Sequence, residues 1–261
     1  MHRVAGQRPR HAIGSRAVDR AAAFLEQNRL LAELAAVIDP GADVPTCPGW
    51  TAQQLFRHVG RGDRWAAAIV RSGGPVDTRA VPDGRPPDDG LVGWLRAGPV
   101  ALVEAVKQGG AERSVWTFTG PQPAGWWIRR RLHESVVHRA DAALVAGQEY
   151  VLPAELAADG MSEWLGLLAA RPAGQGPGPL ADGVTLHLHA TDDGLGTAGE
   201  WLVRGVGGAI EWRHGHGKGD AAVRGPAREL LLTAYRRRPP DAVQVLGDER
   251  VWRTWLGATD F

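Results

Sequence analysis

The chain has 261 residues, of which 44% are hydrophobic, and its 30 basic and 29 acidic side chains give a formal net charge of +1. This length suffices for one large domain or two modest ones, and we expect two. No apolar run approaches the roughly 20 residues that span a bilayer, and the scattered arginines form no basic stripe. The composition therefore argues against a membrane protein and against nucleic acid binding.

The N-terminal segment and the cysteine content indicate in which cellular compartment the protein is found. Residues 1–17 are basic but are not followed by an apolar stretch with a small-residue cleavage site, so we expect no secretion signal. The single cysteine, Cys47, cannot form an internal disulfide, which fits a reducing compartment. We therefore expect a cytoplasmic protein in which residues 1–15 form a flexible N-terminal segment.

Two helices are predicted in the first quarter of the chain. Apolar residues recur at helical spacing over residues 16–38, and the turn signal "DPGAD" follows. Thr51 and Gln54 then form a capping-box pattern, in which the hydroxyl and the amide each satisfy a free backbone N–H. A second helix is expected to begin there and to run to about Ser72.

Three more helices are predicted before residue 172. The third follows a loop rich in Gly, Pro and Asp, and Pro99 is expected to kink or divide it. The fourth covers about 125–146, and the fifth begins at Pro153 and ends near residue 170. The mostly short connections indicate an antiparallel helical bundle over residues 16–172.

Beyond this bundle the hydrophobic period changes from 3.6 to 2. Residues 173–183, rich in Gly and Pro, are the predicted linker. Residues 184–261 are the predicted C-terminal α+β domain, with Pro226 in the first turn of one helix. Its predicted elements are strands near 184–192, 200–206 and 209–215, a strand that runs into a helix over 221–237, and a final helix over 249–257.

The fourth helix contains "RRRLHESVVHRADA", residues 129–142. Glu134 and His138 are four residues apart, so they project from one face about 5–6 Å from each other and can bind one cation. Asp141, one turn later, can hold His138 through its second ring nitrogen or lie close to a substrate. The spacing alone also suits a solvated helix face, so a ligand from another helix is needed.

The second helix offers that ligand. His58 lies on an apolar seam between Leu55 and Ile69 and should point into the bundle, where it can meet the two side chains of the fourth helix. Gly62, one turn further, would leave space beside an ion. Three protein ligands with open positions are typical of catalytic rather than structural zinc.

The segments "VPTCPGWTAQQLFRHVG" and "RRRLHESVVHRADA" together closely resemble the N-terminal domain of mycothiol-dependent maleylpyruvate isomerases, within the DinB-like group of thiol-dependent metalloenzymes. The resemblance covers about residues 17–170, and "VRGPARELLL" to "GDERVWRTWL" is similar to the smaller domain that often follows. It implies an α-helical DinB-like four-helix bundle followed by a smaller α+β domain. It also implies a divalent metal, zinc in that family, bound by His58, Glu134 and His138.

The resemblance further implies a thiol cosubstrate, mycothiol. A metal with an open position can hold a small thiol as thiolate near neutral pH, because coordination lowers the thiol pKa. The thiolate would attack an activated alkene or an epoxide. An isomerase adds the thiol, rotates the new single bond and eliminates the thiol, whereas an S-transferase stops at the adduct, and the family includes both.

Arginines are the candidates for contact with the substrate. Arg131 lies on the same helix face as Glu134 and can pair with it or clamp a substrate carboxylate, so Arg131 and Asp141 are the predicted catalytic residues. In the family an arginine of the C-terminal domain reaches the active site. The candidates for that role are Arg204, Arg213 and Arg224.

We expect a cysteine, a histidine and two tryptophans near these motifs to have structural roles. Cys47 lies eleven residues before His58, and we expect it several helical turns from the site. His133 points about 100° away from Glu134, toward the surface or the surroundings of the site. Trp65 and Trp127 are expected in the core, although they can also line a pocket between the domains.

Two histidine pairs in the C-terminal domain are candidate ligands for a second metal. His187 and His189 share one face of a strand, and His214 and His216 flank a glycine. Neither pair has a carboxylate or cysteine at a suitable spacing, so we expect no second site.

Two other functions stay open. In a metal-dependent hydrolase the ion would activate water instead of a thiol. In a non-catalytic protein the C-terminal domain would bind an apolar ligand or partner and the bundle would keep a vestigial or structural metal. The residues fix neither the electrophile nor the choice between monomer and homodimer, and two histidines with a carboxylate accept several first-row metals besides zinc.

Overall fold

The computed structural model of the chain describes residues 18–172 and 178–259. The predicted N-terminal segment 1–15 and residues 173–177 of the predicted linker lie outside the described residues. In the described part, five helices are followed by a five-stranded sheet with two further helices. None of the described helices is both long enough and apolar enough to cross a bilayer.

The first five helices match the five predicted helical segments. They are α1 (Arg20–Ala35), α2 (Ala52–Ser72), α3 (Leu91–Gly109), α4 (Gly125–Val145) and α5 (Ala154–Ala169). At the start of α2 the Thr51 side chain accepts from the Gln54 backbone N–H, and the Gln54 side chain accepts from the Thr51 backbone N–H. The predicted capping box is confirmed, and it fixes where α2 begins.

Helix α3 continues through Pro99, so the predicted division of this helix does not occur. Proline in a helix interior costs about 3 kcal/mol, because it removes a backbone hydrogen bond and crowds the preceding turn. Pro99 is buried together with Leu95 and Leu102, and α3 packs against α1 and α2. Burial of this apolar face offsets the local cost.

The packing of the first four helices brings α2 beside α4. Helix α1 contacts α3 and α4, and α2 contacts the same two helices. Gly60 lets α2 and α3 approach closely, because a Cβ atom at this position would collide with the Trp94 ring. Helix α5 contacts α4 but packs also against elements of the C-terminal part. The contact of α2 with α4 is the one that builds the site described below.

Two short strands between α3 and α4 were not predicted. They are β1 (Ser114–Val115) and β2 (Gln122–Pro123), and they pair antiparallel. A strand of two residues is too short to show an alternating pattern, so its sequence carries no strand signal. The turn that they enclose brings Phe118 against Trp127 of α4.

The C-terminal sheet has the strand order β5-β4-β3-β6-β7. Its strands are β3 (Thr185–Ala190), β4 (Glu200–Val206), β5 (Ala209–His214), β6 (Ala221–Gly225) and β7 (Gln244–Gly247). Strands β3 and β6 pair parallel, and the other neighbours pair antiparallel. The four predicted strands are confirmed, whereas β7 was not predicted because none of its four residues is buried.

Three helices cover one face of this sheet. Helix α6 (Ala227–Ala234) contacts β3 and β6, α7 (Glu249–Ala258) contacts β6, and α5 contacts β5. Leu188 and Trp201 are buried on this covered face, and Trp201 Nε1 donates to Ser162 Oγ of α5 at 2.8 Å. Alternate residues of β3 and β4 therefore project from the opposite face, which we call the outer face.

Candidate metal centre

The three predicted metal ligands lie together between α2 and α4. His58 Nε2 is 2.8 Å from Glu134 Oε1, and the His58 and His138 ring centroids are 5.1 Å apart. One ligand atom from each of the three side chains lies within 4.8 Å of the others. The tertiary structure thus brings together residues that are 76 positions apart in the chain.

Two arginines of α4 keep the Glu134 carboxylate ionised. Arg131 Nη1 lies 2.7 Å from Glu134 Oε1, and Arg130 Nε lies 3.6 Å from Glu134 Oε2. Burial alone would raise the pKa of Glu134, but the charge of Arg131, the hydrogen bond to His58 and the charge of Arg130 hold it well below its usual range. An anionic oxygen ligand is therefore available at neutral pH.

Arg131 is buried and is held by protein groups. Its Nε donates to Asp63 Oδ1 at 2.8 Å and its Nη2 donates to the Val59 carbonyl at 3.0 Å. A Cβ atom at Gly62 would lie 2.5 Å from Arg131 Nη1, so the space beside Gly62 holds this guanidinium, where an ion was expected. These contacts favour pairing of Arg131 with Glu134 over a clamp on a substrate carboxylate.

Asp141 orients the His138 ring. Its Oδ2 lies 2.9 Å from His138 Nδ1, which must donate to the carboxylate and so leaves His138 Nε2 for a ligand bond. Burial lowers the pKa of His138, although the hydrogen bond to Asp141 opposes this shift. For Asp141, burial opposes ionisation, but the hydrogen bonds from His138 and Arg237 hold its pKa well below the usual range. A neutral imidazole with a fixed orientation is the form that binds metals.

An arginine of the C-terminal part reaches this network, but it is none of the three candidates. Arg237, in the segment after α6, donates from Nε to Asp141 Oδ1 at 3.0 Å and from Nη2 to Asp141 Oδ2 at 3.1 Å. Arg204, Arg213 and Arg224 are exposed in β4, β5 and β6. None of these three candidates is the arginine that contacts Asp141. Arg237 was missed because "YRRRPP" gives no pattern that singles out one arginine.

Cys47 is close to the site, contrary to the expectation from sequence separation. Its Sγ lies 3.4 Å from Asp141 Oδ2 and 3.4 Å from Arg237 Nη2, and Thr46 donates to Asp141 Oδ1 at 2.6 Å. The loop before α2 therefore folds back over α4, so that counting helical turns from His58 misplaces the thiol. Cys47, His138 and Asp141 also form a group that can hold a metal ion.

We expect the Cys47 thiol of the metal-free protein to react slowly. Burial and the Asp141 charge raise its pKa to about 11, against the opposing charge of Arg237. At pH 7.5 iodoacetamide should therefore alkylate Cys47 on the order of 100-fold more slowly than the same thiol in urea-unfolded chain. The rate, followed by intact mass, should still rise at pH 10, and Arg237→Met should slow it further. A plateau near pH 8 would contradict the raised pKa.

A wide, arginine-rich cavity opens on one side of the His58 ring. It measures about 640 Å³ and is lined by Trp50, His58, Arg57, Arg61 and Arg85, among other residues. The Trp50 ring lies 5.0 Å from the His58 ring centroid and stacks on the His138 ring at 6.2 Å with an interplanar angle of 20°. Of the three predicted ligands, His58 lies in the wall of this cavity, and the arginines beside it carry positive charge for an anionic compound.

A smaller aromatic cavity of about 180 Å³ also has His58 in its wall. Glu134 lies in its wall, together with Trp65, Phe118 and Trp127. Its lining residues all belong to the N-terminal part of the chain. The two tryptophans thus pack in the core and line a pocket at once, and this pocket is not between the predicted domains.

His133 points away from the centre, as predicted from its helix position, but it is not at the surface. It is buried, and its Nε2 lies 2.7 Å from Asp159 Oδ2 on α5. Its role is to join α4 to α5.

Sequence comparisons identify the family to which these features belong. The family described as the mycothiol maleylpyruvate isomerase N-terminal domain matches residues 16–143, and the MDMPI C-terminal domain family matches residues 155–254. Together the two matches cover most of the chain, and the first contains His58, Glu134 and His138. A comparison with curated protein sequences gives no match.

Solved structures show the same fold. A crystal structure of a histidine-to-alanine mutant of the mycothiol-dependent maleylpyruvate isomerase matches with a TM-score of 0.57 at 14% identity, covering 87% of this chain and 91% of that chain. The structure of the unsubstituted isomerase matches with a TM-score of 0.50 at the same identity and coverage. The chain belongs to the mycothiol-dependent maleylpyruvate isomerase family, as the two sequence motifs predict.

Proposed function

We propose that the chain is a metal-dependent enzyme that uses mycothiol, or a thiol of the same class, to isomerise or S-conjugate a small electrophile. The observation that carries this proposal is the convergence of His58, Glu134 and His138, with His58 in the wall of both cavities and Glu134 in the wall of the smaller one. Membership of the family, whose matched structures are of a mycothiol-dependent isomerase, supports the thiol.

The residues present fit a divalent metal. They offer two imidazoles and one ionised carboxylate, and Asp141 leaves His138 Nε2 free for a ligand bond. Three protein ligands that lie beside open space suit catalytic zinc, although the same set also accepts nickel or iron. When bound, the ion would lower the pKa of a coordinated thiol so that thiolate is present near neutral pH.

The surrounding side chains would hold this donor set in place. Arg131 keeps Glu134 ionised and fixes its position, while Asp141 and Arg237 together fix the His138 ring. The Trp50 ring lies beside both histidine rings and forms part of the cavity wall next to His58. Fixed ligands reduce the reorganisation needed during the reaction.

The charge of the larger cavity favours an electrophile that carries carboxylates. Arg57, Arg61 and Arg85 line it, against the single acid Asp88. The matched isomerase is named for maleylpyruvate, an unsaturated acid of this class. The thiolate would add to one alkene carbon, the new single bond would rotate, and loss of the thiol would restore the alkene in the other geometry. A transferase would retain the thiol in the product.

We also propose the finer organisation that the sequence predicts. The contacts of α1 and α2 with both α3 and α4 support a DinB-like four-helix bundle. Residues 16–172 would form this domain and 184–261 the smaller one, in a cytoplasmic monomer or homodimer. The family of the C-terminal domain matches from residue 155, and α5 packs on α6 and β5, so α5 serves as the connection between the two.

Product analysis tests the proposed reaction. Zinc-loaded protein without a histidine tag would be incubated with maleylpyruvate, with and without mycothiol. The products would be separated by chromatography and their masses determined by mass spectrometry. We expect a product only with thiol, with either the substrate mass for an isomerase or the summed mass for a transferase, and His58→Ala should abolish it. A thiol-independent product that has gained water would establish the hydrolase instead. Maleylpyruvate that stays unchanged both with and without thiol would contradict the proposed isomerase and leave the non-catalytic protein as the alternative.

A further inference from the structure

A second cluster of possible metal ligands lies on the outer face of the C-terminal sheet. His187 and His189 project from this face of β3, and Glu200, the register partner of His189, projects from the same face of β4. Glu200 is the carboxylate that the sequence spacing did not reveal. It is 11 residues from His189 along the chain, but the antiparallel pairing of β3 and β4 places it directly opposite.

The loop between β5 and β6 brings the fourth side chain, His216. This loop lies on the outer face, because a Cβ atom at Gly217 would contact Leu202 of β4 at 3.2 Å. The His216 and His187 ring centroids are 5.0 Å apart. His187 is consequently only 4% exposed although it is on the outer face, whereas His216 stays open to solvent.

Three imidazoles converge on a single carboxylate oxygen. Glu200 Oε2 lies 3.0 Å from His187 Nε2, 3.6 Å from His189 Nδ1 and 2.7 Å from His216 Nδ1. Tetrahedral zinc with bonds near 2.1 Å spaces its ligand atoms about 3.4 Å apart. The observed spacings bracket this value, and one ligand atom from each of the four side chains lies within 4.8 Å of the others.

We propose that His187, His189, Glu200 and His216 form a second metal site, which binds zinc or a similar first-row divalent ion. Four protein ligands leave no open position at a tetrahedral ion, so this site is structural, unlike the centre between α2 and α4. It is independent of the proposed reaction, since none of its ligands belongs to that centre.

Hydrogen bonding alone accounts poorly for the cluster. Glu200 Oε2 is within hydrogen-bond distance of His187 Nε2 and His216 Nδ1, but His189 Nδ1, at 3.6 Å, is too far to donate to it. A divalent ion instead uses neutral imidazoles and balances the Glu200 charge. Bound there, it would tie β3 and β4 to the 215–220 loop and stabilise the folded protein against unfolding.

Zinc titration of a protein that lacks the first centre tests this proposal. The background is the tag-free His58→Ala/His138→Ala variant, from which unbound metal is removed before zinc is measured by elemental mass spectrometry and by competition with a colorimetric chelator. We expect this background to bind one equivalent of zinc. Adding His216→Ala should weaken zinc binding by at least about 10- to 100-fold. Loss of a residue that only hydrogen-bonds to a metal ligand already costs that much, and His216 is a proposed ligand. His216 is exposed, so its replacement should leave the fold intact.

His214→Ala, added to the same background, is the matched control. His214 lies two residues from His216, but its Nδ1 is 3.1 Å from the Glu200 backbone carbonyl, outside the cluster. Its replacement should leave zinc affinity unchanged. The proposal is overturned if the background binds no zinc, or if His214→Ala weakens binding as much as His216→Ala. If the proposed first centre binds no zinc, wild type and background will contain the same amount, and one equivalent in both still supports the second site.

Discussion

Glu134→Gln is expected to remove the metal from the centre between α2 and α4 and to abolish thiol-dependent turnover. The amide keeps the shape of the side chain but lacks the charge that makes Glu134 the anionic ligand of the set. Replacing a residue that hydrogen-bonds to a metal ligand already costs about 10- to 100-fold in metal affinity or activity, and loss of the ligand itself should cost more. Arg131 retains Asp63 as a partner, so the fold should survive.

Metal content and thiol binding would be measured together. Elemental mass spectrometry should find one equivalent less zinc in Glu134→Gln than in wild type, and mycothiol should no longer show a metal-dependent binding signal by calorimetry. Glu104→Gln, an exposed substitution on α3, is the matched control and should behave as wild type. Full zinc content with normal turnover in Glu134→Gln would rule out Glu134 as a ligand.

Arg131→Met is expected to lower the free energy of unfolding by about 3–5 kcal/mol, the cost of breaking a buried ion pair by removing one partner. Arg131 is 3% exposed, and its guanidinium contacts Glu134 and the fully buried Asp63. Methionine fills part of the volume but leaves Asp63 without its ion-pair partner and Glu134 with Arg130 as its remaining arginine partner. Urea unfolding, followed by circular dichroism, would measure the change, with the exposed Arg57→Met on α2 as the control.

The pH dependence distinguishes lost charge pairing from lost packing. Burial raises the pKa of Asp63 to about 6, against the opposing charge of Arg131. A carboxyl whose folded pKa exceeds its unfolded value of about 3.9 stabilises the fold most at low pH, and this contribution is lost as pH rises through the folded pKa. Without Arg131 the Asp63 pKa should rise further. The destabilisation by Arg131→Met should therefore be smaller at pH 5 than at pH 7.5, whereas an equal loss at both pH values would indicate packing alone.

Local sequence patterns were sufficient for the elements that carry the first centre. The capping box at Thr51 and the 3.6-residue period determine where α2 begins and which side faces inward. The four-residue separation of Glu134 and His138 places both on one side of α4 by helix geometry alone. The prediction of His58 as their partner rested on its inward position and on a family resemblance, and the structure brings the three side chains together.

The surroundings of that centre depended on the tertiary structure. Cys47 and Arg237 are 190 residues apart along the chain, yet both contact Asp141. No periodicity relates them, because their positions are set by how a loop and the segment after α6 close over α4. The prediction that Cys47 is remote failed for the same reason.

The second cluster shows the same division between sequence and structure. Alternation along β3 determined that His187 and His189 share a face. Only strand pairing selected Glu200, and only the path of the 215–220 loop selected His216 over His214. The sequence by itself determined element types and the ligands within one element, because those follow from a fixed helical or strand repeat. The tertiary structure decided which elements meet, because that depends on packing contacts between residues far apart in the chain.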